Sequence, residues 1–173
     1  MPYRSRTTPM GLLTSWFAPT LYVQIAPERL SVRNPKSGAS FSEPPEVAIA
    51  RAPKAGIVGF GAAARLRAAE PSVEIVNPFG HPRSLVSDFT VAEQLLKAVI
   101  RRVQGASLLS LAPRVVMHPL GDPAGGFTQV EIRAFHEMAL GAGAGEARVW
   151  QGRPLADEEL LSRQFPLDGT LLS

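Results

Sequence analysis

Cysteine is absent from the 173-residue chain, which excludes a disulfide framework, a thiolate metal site and a cysteine nucleophile. No stretch reaches the roughly 18 consecutive apolar residues that a membrane-spanning helix needs. Charge is also scarce: 18 Lys and Arg stand against 15 Asp and Glu, a net charge of +3. That small excess is not gathered into a basic stripe, so nucleic acid is not an expected partner. No acidic residue precedes Glu28, which leaves Arg4, Arg6 and the α-amine uncompensated. Hydrophobic residues make up 45% of the chain, enough to bury the core of one compact domain carrying at most a small insert.

The N-terminal segment, residues 1–20, joins Arg4 and Arg6 to Leu12, Leu13, Trp16 and Phe17. Cations beside apolar and aromatic side chains suit an anionic membrane surface, bound weakly and reversibly by one short segment. These six residues are the membrane-contact candidates, with a packed or disordered tail as the alternative. A secretory signal fits poorly, because Pro9, Gly11 and Thr14-Ser15 interrupt its apolar region.

Leu21 to Ile25 and Arg29 to Val32, joined by Ala26-Pro27-Glu28, read as a β-hairpin. Val47 to Ala50, Ile57 to Phe60 and Val73 to Val76 read as further strands, with a short Ala/Arg-rich helix between Gly61 and Glu70. Two Thr-x-x-Glu capping boxes predict helix starts at Thr90 and Thr128. The first opens a stripe of Val91, Leu95, Val99 and Val103 that should end at Gly105. The second should turn Val130, Ala134, Phe135 and Met138 inward and stop at Gly141. Arg114 to Met117 and Arg148 to Trp150 read as parallel strands around that helix, with the first-half strands added antiparallel to the same sheet. Asp157 to Phe165 has helical composition, and residues 166–173 read as a tail.

Chemistry is thin. The run Gly141-Ala142-Gly143-Ala144-Gly145 follows a helix, whereas a phosphate cradle lies between a strand and the next helix. His81, His118 and His136 lack metal-ligand spacing. His118 follows a strand, where sites of open α/β sheets lie, yet no activated nucleophile accompanies it and Asp122 is its only near carboxylate. Asp157-Glu158-Glu159 suits a helix N-terminus. No catalytic, metal or cofactor-binding set emerges from the residues alone.

Pro119-Leu120-Gly121, Thr128-Gln129-Val130-Glu131, Arg133-Ala134, Glu137, Ala139 and Gly141 to Ala144 resemble the P-x-G-x-T-Q-V-E-R-R-A signature of the MreB family, bacterial actin homologues that organise cell-wall synthesis and rod shape. Ser87 to Glu93 with Leu95-Leu96, and Glu43-Pro44-Pro45-Glu46-Val47-Ala48-Ile49, resemble two further family segments. The likeness covers roughly residues 17 to 155. It implies an α/β, actin-like (ribonuclease H-like) mixed sheet with flanking helices plus a small α+β insert subdomain. The actin-fold N-terminal lobe would span residues 21–165, the insert about 41–86, and the second lobe would be missing.

Three departures bear on function. The family's first hairpin carries an acidic residue, Gly and Thr that handle nucleotide phosphates and metal; the matching positions here are Gln24, Ala26 and Pro27, a degenerate phosphate loop in which Pro27 lacks an amide proton. The catalytic glutamate falls at Gln151-Gly152-Arg153-Pro154, where no carboxylate stands. The second phosphate loop and the adenosine pocket belong to the missing lobe, and there is an insertion at Asp122 to Gly126. The resemblance therefore implies a non-catalytic pseudo-ATPase with no cofactor. It would act through protein contacts with an actin-like filament or other cell-shape proteins, in the cytoplasm or at the inner membrane face. The alternatives are an actin-like ATPase completed by a partner chain, and a repurposed interaction domain unrelated to cell shape.

Overall fold

The computed structural model describes residues 18–173 apart from 54, 82–83, 106–110, 122 and 124. The membrane-contact candidates Arg4, Arg6, Leu12, Leu13, Trp16 and Phe17 and the inserted Asp122 thus lie outside the described residues.

Strands β1 (Thr20–Ala26), β2 (Arg29–Arg33) and β3 (Ser40–Glu43) form an antiparallel meander. The chain then leaves to build a second sheet from β4 (Val47–Ala50), β5 (Gly56–Phe60) and β6 (Val73–Val76), in the order β5-β4-β6. Here the expectation of one sheet is corrected: β4 takes both its partners from within the insert. A single turn of helix, α1 (Ala62–Arg65), follows β5. The side chain of Glu43 on β3 accepts from the Ala62 amide at 2.7 Å and so caps this turn across the two sheets.

The chain returns through α2 (Phe89–Gln104), β7 (Arg114–Pro119), α3 (Gln129–Gly141) and β8 (Glu146–Gln151). β7 pairs in parallel with both β1 and β8. α4 (Asp157–Ser162) and β9 (Thr170–Leu171) finish the chain, and the main sheet runs β3-β2-β1-β7-β8-β9. Residues 170–171 of the expected tail are thus an edge strand, antiparallel to Trp150 and Gln151.

The helix stripe on α2 is as the 3.6-residue period requires: Ala92, Leu95, Leu96, Val99, Ile100 and Val103 are buried. Its start is corrected. Asp88, not Thr90, is the N-cap, its carboxylate accepting from the Val91 amide at 3.0 Å. Asp competes well for this position and stands two residues earlier. In α3 the capping box is present, with Thr128 and Glu131 exchanging side-chain to backbone bonds. Its inward face is Ile132, Phe135, Met138 and Ala139, while Val130 is 78% exposed. The helix runs through Gly141 to a C-cap at Ala142, and Gly143 at φ +108 makes the stop.

Two cores result, one on each face of the main sheet. Leu21, Val23, Val115, Met117, Ala147 and Val149 meet α2 and α3 on one side. On the other, Tyr22, Val116 and Trp150 meet Leu155 and Leu160, a smaller cluster carried by α4 and its approach.

Candidate functional site

The C-terminal ends of the parallel strands β7 and β8, beside the β1–β2 turn, form the edge at which open α/β sheets place their ligands. A shallow depression of about 310 Å³ lies there, lined by His118, Pro119, Leu120, Gly121, Gln151 and Gly152. Gln24 is the register partner of His118. Ala26 closes the hairpin against Arg29, and the Pro27 carbonyl accepts from the Asn77 side-chain amide, which ties this turn to the segment after β6 at 2.7 Å.

His118 is 3% exposed and its ring is fully engaged. Gly152 offers a carbonyl, which can only accept, so His118 Nε2 carries the proton and donates to it at 3.0 Å. Nδ1 is then the acceptor and takes a 2.5 Å bond from the Tyr22 hydroxyl. The Tyr22 oxygen in turn accepts from the Leu155 amide at 3.2 Å. Burial pushes the imidazole pKa below its ordinary 6.5, opposed by the bond to Gly152. Burial likewise raises the Tyr22 phenol, opposed by the Leu155 amide. The relay joins β1, β7 and the β8–α4 connection, so this histidine works as a neutral cross-link.

The segment Gln151 to Pro154 brings up a cation where the resemblance leads one to look for an acid. Arg153 bonds Glu159 through both its Nη atoms, one of them at 3.0 Å, and its Nε reaches Asp168 at 3.1 Å. Glu159 also accepts from the Ala156 amide at 2.7 Å. The Arg153 bond first, then the amide, hold its carboxyl at about 2. Two of the three acidic residues in the first turn of α4 are therefore used internally, Glu159 in these bonds and Asp157 in a pair with Arg33. His81 and His136 do not join the depression, and among the described residues no three His, Asp or Glu side chains gather as a metal site. Tyr22 was not signalled by any motif; only its place one residue into the alternation, on the face opposite Leu21 and Val23, marks it.

A strand meander, a parallel β-α-β unit and a separate small sheet inserted after the third strand define an actin-like lobe. The model of the MreB/Mbl protein family matches residues 28–156, and the chain belongs to that family. The cell shape-determining protein MreB of Haemophilus influenzae is 35% identical over 115 residues, covering 64% of this chain and 31% of the relative. The Escherichia coli K12 protein of the same name is 36% identical, covering 63% and 31%. MreB5 of Spiroplasma citri bound to ADP superposes with a TM-score of 0.61 at 18% identity, over 78% of this chain and 38% of that one. The same protein bound to AMPPNP gives 0.60. The chain thus spans about a third of the length of these curated relatives.

Proposed function

We propose that this MreB-type lobe is non-catalytic and acts through protein contacts in cell-shape organisation, its partner an actin-like filament or another cell-shape protein. The observation that carries the reading is the chemistry of the cleft edge. The family resemblance leads one to expect carboxylates at the positions that hold a phosphate-bound metal and activate a water. Gln24 stands at the first such position, and the stretch Gln151-Gly152-Arg153-Pro154, whose Arg153 is bound to Glu159 and Asp168, stands at the second. Pro27 has no amide to offer a phosphate, and its carbonyl is taken by Asn77. The residues present do not fit a magnesium nucleotide, whereas the scaffold that presents the lobe surface is intact.

The test is co-sedimentation with polymerised full-length MreB from the same cell, with and without nucleotide. Saturable co-pelleting is expected, and a lobe that stays in the supernatant beside intact filaments overturns the reading in favour of a repurposed domain. Titration calorimetry with magnesium ATP is the second arm. No heat of binding is expected, and submillimolar affinity would reinstate an ATPase that a partner chain completes. Membrane contact through Leu12, Leu13, Trp16 and Phe17 belongs to the same proposal. Replacing Trp16 and Phe17 by Ser should abolish co-flotation with anionic vesicles.

A further inference from the structure

At the opposite end of the parallel strands from His118, the register begins with a row of Thr20, Arg114 and Glu146 on β1, β7 and β8. By strand alternation they share the sheet face of Tyr22, Val116 and Trp150. Beside α4 on that face lies a pocket of about 230 Å³, its apolar floor made by Val116, Leu160, Phe165 and Leu171. Glu146 and Arg148 stand at the floor as an ion pair, Nε to Oε1 at 3.2 Å. Arg114 also lines the pocket, but its Nε and Nη1 are shut off from solvent with no acceptor among the described residues. With Arg148 engaged and those two nitrogens out of reach, the pocket suits an apolar group that brings one donor for the carboxylate, not an anion.

The chain itself brings such a group to the rim. The Pro19 carbonyl accepts from the Arg114 amide at 2.8 Å, and the Ala18 carbonyl accepts from Arg114 Nη2 at 3.3 Å. The 17 residues that precede Ala18 therefore start against a residue of the pocket wall. The large side chains nearest that start are Phe17 and Trp16. Trp16 is two peptide units from Ala18, a span of at most about 7 Å, and the pocket extends over β1, β7 and β8, about 10 Å across. The floor is thus within reach of the indole, and few connecting residues need be ordered to place it there. Trp16 suits the site better than Phe17. Arg148 holds one oxygen of Glu146, and the other can accept from an indole N–H, the polar handle that a buried Trp needs and a Phe lacks.

We propose that the N-terminal segment of this chain folds back on the pocket, with the Trp16 ring against Val116, Leu160, Phe165 and Leu171 and its Nε1–H on Glu146. A segment tethered this closely has a high effective concentration and needs little intrinsic affinity. The seat hides an aromatic side chain that membrane contact requires to be exposed. Docked and membrane-bound forms then exclude each other, a consequence that rests on the membrane reading given above; the docking itself does not. The pocket lies at the far end of the strands from the depression around His118, so the seat is independent of whether the lobe is catalytic.

The experiment uses the full chain. Of its two tryptophans, Trp150 is 1% exposed, so acrylamide quenching of the fluorescence reports on Trp16, which should be shielded. Protection of the Trp16 indole proton from hydrogen exchange reads the ratio of docked to free segment. Leu171→Gln, a change on the edge strand that keeps its backbone pairing, should lower that ratio about threefold or more and strengthen quenching. In amide spectra Trp16→Ser, which alters no residue of the described fold, should shift residues 114–116, 146–148 and 160–165 and leave 118–121 and 151–152 in place. These shifts should not depend on protein concentration. Shifts that grow with concentration would put a second copy's segment in the pocket and overturn the intramolecular seat. A freely quenched Trp16, or pocket amides unmoved by Trp16→Ser, overturns the docking whatever vesicles do. Co-flotation with anionic vesicles is scored separately: Leu171→Gln should float better than the native chain, and a native chain that does not float while Trp16 stays shielded removes the membrane reading with the docking upheld.

Discussion

His118 shows how a residue that invites a catalytic reading can be spent on cohesion. Its neutral ring accepts from Tyr22 and donates to Gly152, so protonation breaks the relay and places a charge in a buried site. The sign follows from the depressed pKa. Below about 6.5 the unfolded chain binds this proton more readily than the folded one, so stability is full above that pH and falls as pH drops through the window beneath it. Urea midpoints measured from pH 8 down to 5 should decline, and His118→Gln should flatten that decline while lowering the plateau. Tyr22→Phe tests the same relay without touching the imidazole. It strands the His118 Nδ1 and the Leu155 amide, and should cost about 1–3 kcal/mol in the same unfolding experiment. An unchanged midpoint would mean that the hydroxyl is dispensable to the cross-link.

At the scale of elements, local signals were legible and long-range partnering was not. The Thr128 box with Glu131 needs only residues three apart, and it stands as expected; Thr128→Ala should cost about 1 kcal/mol, read by thermal or urea unfolding. The Thr90 box has the same spelling but lost to Asp88, whose carboxylate reaches the Val91 amide first. Val130 illustrates a related limit, since an apolar residue in the first turn can sit on the open side of a helix. Sheet membership of β4 to β6 depends on pairings that no periodicity encodes. β9 has only two residues to signal its presence. Gln24, Ala26 and Pro27 could be singled out only through family likeness, and Arg114 could not be, because a strand-initial arginine becomes notable only when its donors are found unmet. β9 has its own test. A Cβ on Gly169 would fall 2.3 Å from the Trp150 ring, so Gly169→Ala should push the tail off β8, cost about 1–3 kcal/mol and be measurable as lost unfolding free energy in urea.

The molecule as a whole is two sheets held in one relation by few polar ties. The Glu43 carboxylate caps α1 and lies 3.7 Å from Arg102 on α2, while Phe41 of the main sheet meets Phe60 of the insert at 5.9 Å. Asn77 closes the arrangement from the other side, accepting from the Phe79 amide at 2.9 Å while donating to Pro27. A single side chain thus fixes both the exit from β6 and the β1–β2 turn. Removing it by Asn77→Ala leaves every strand pairing intact but frees the turn, so the loss should be local opening rather than global unfolding. Amide hydrogen exchange should quicken at residues 26–29 and 77–80, while Val115, Met117 and Val149 in the parallel core keep their protection. Uniform acceleration across both sheets would instead mean that the insert and the lobe unfold as one unit, and that the turn's rigidity comes from the hairpin itself.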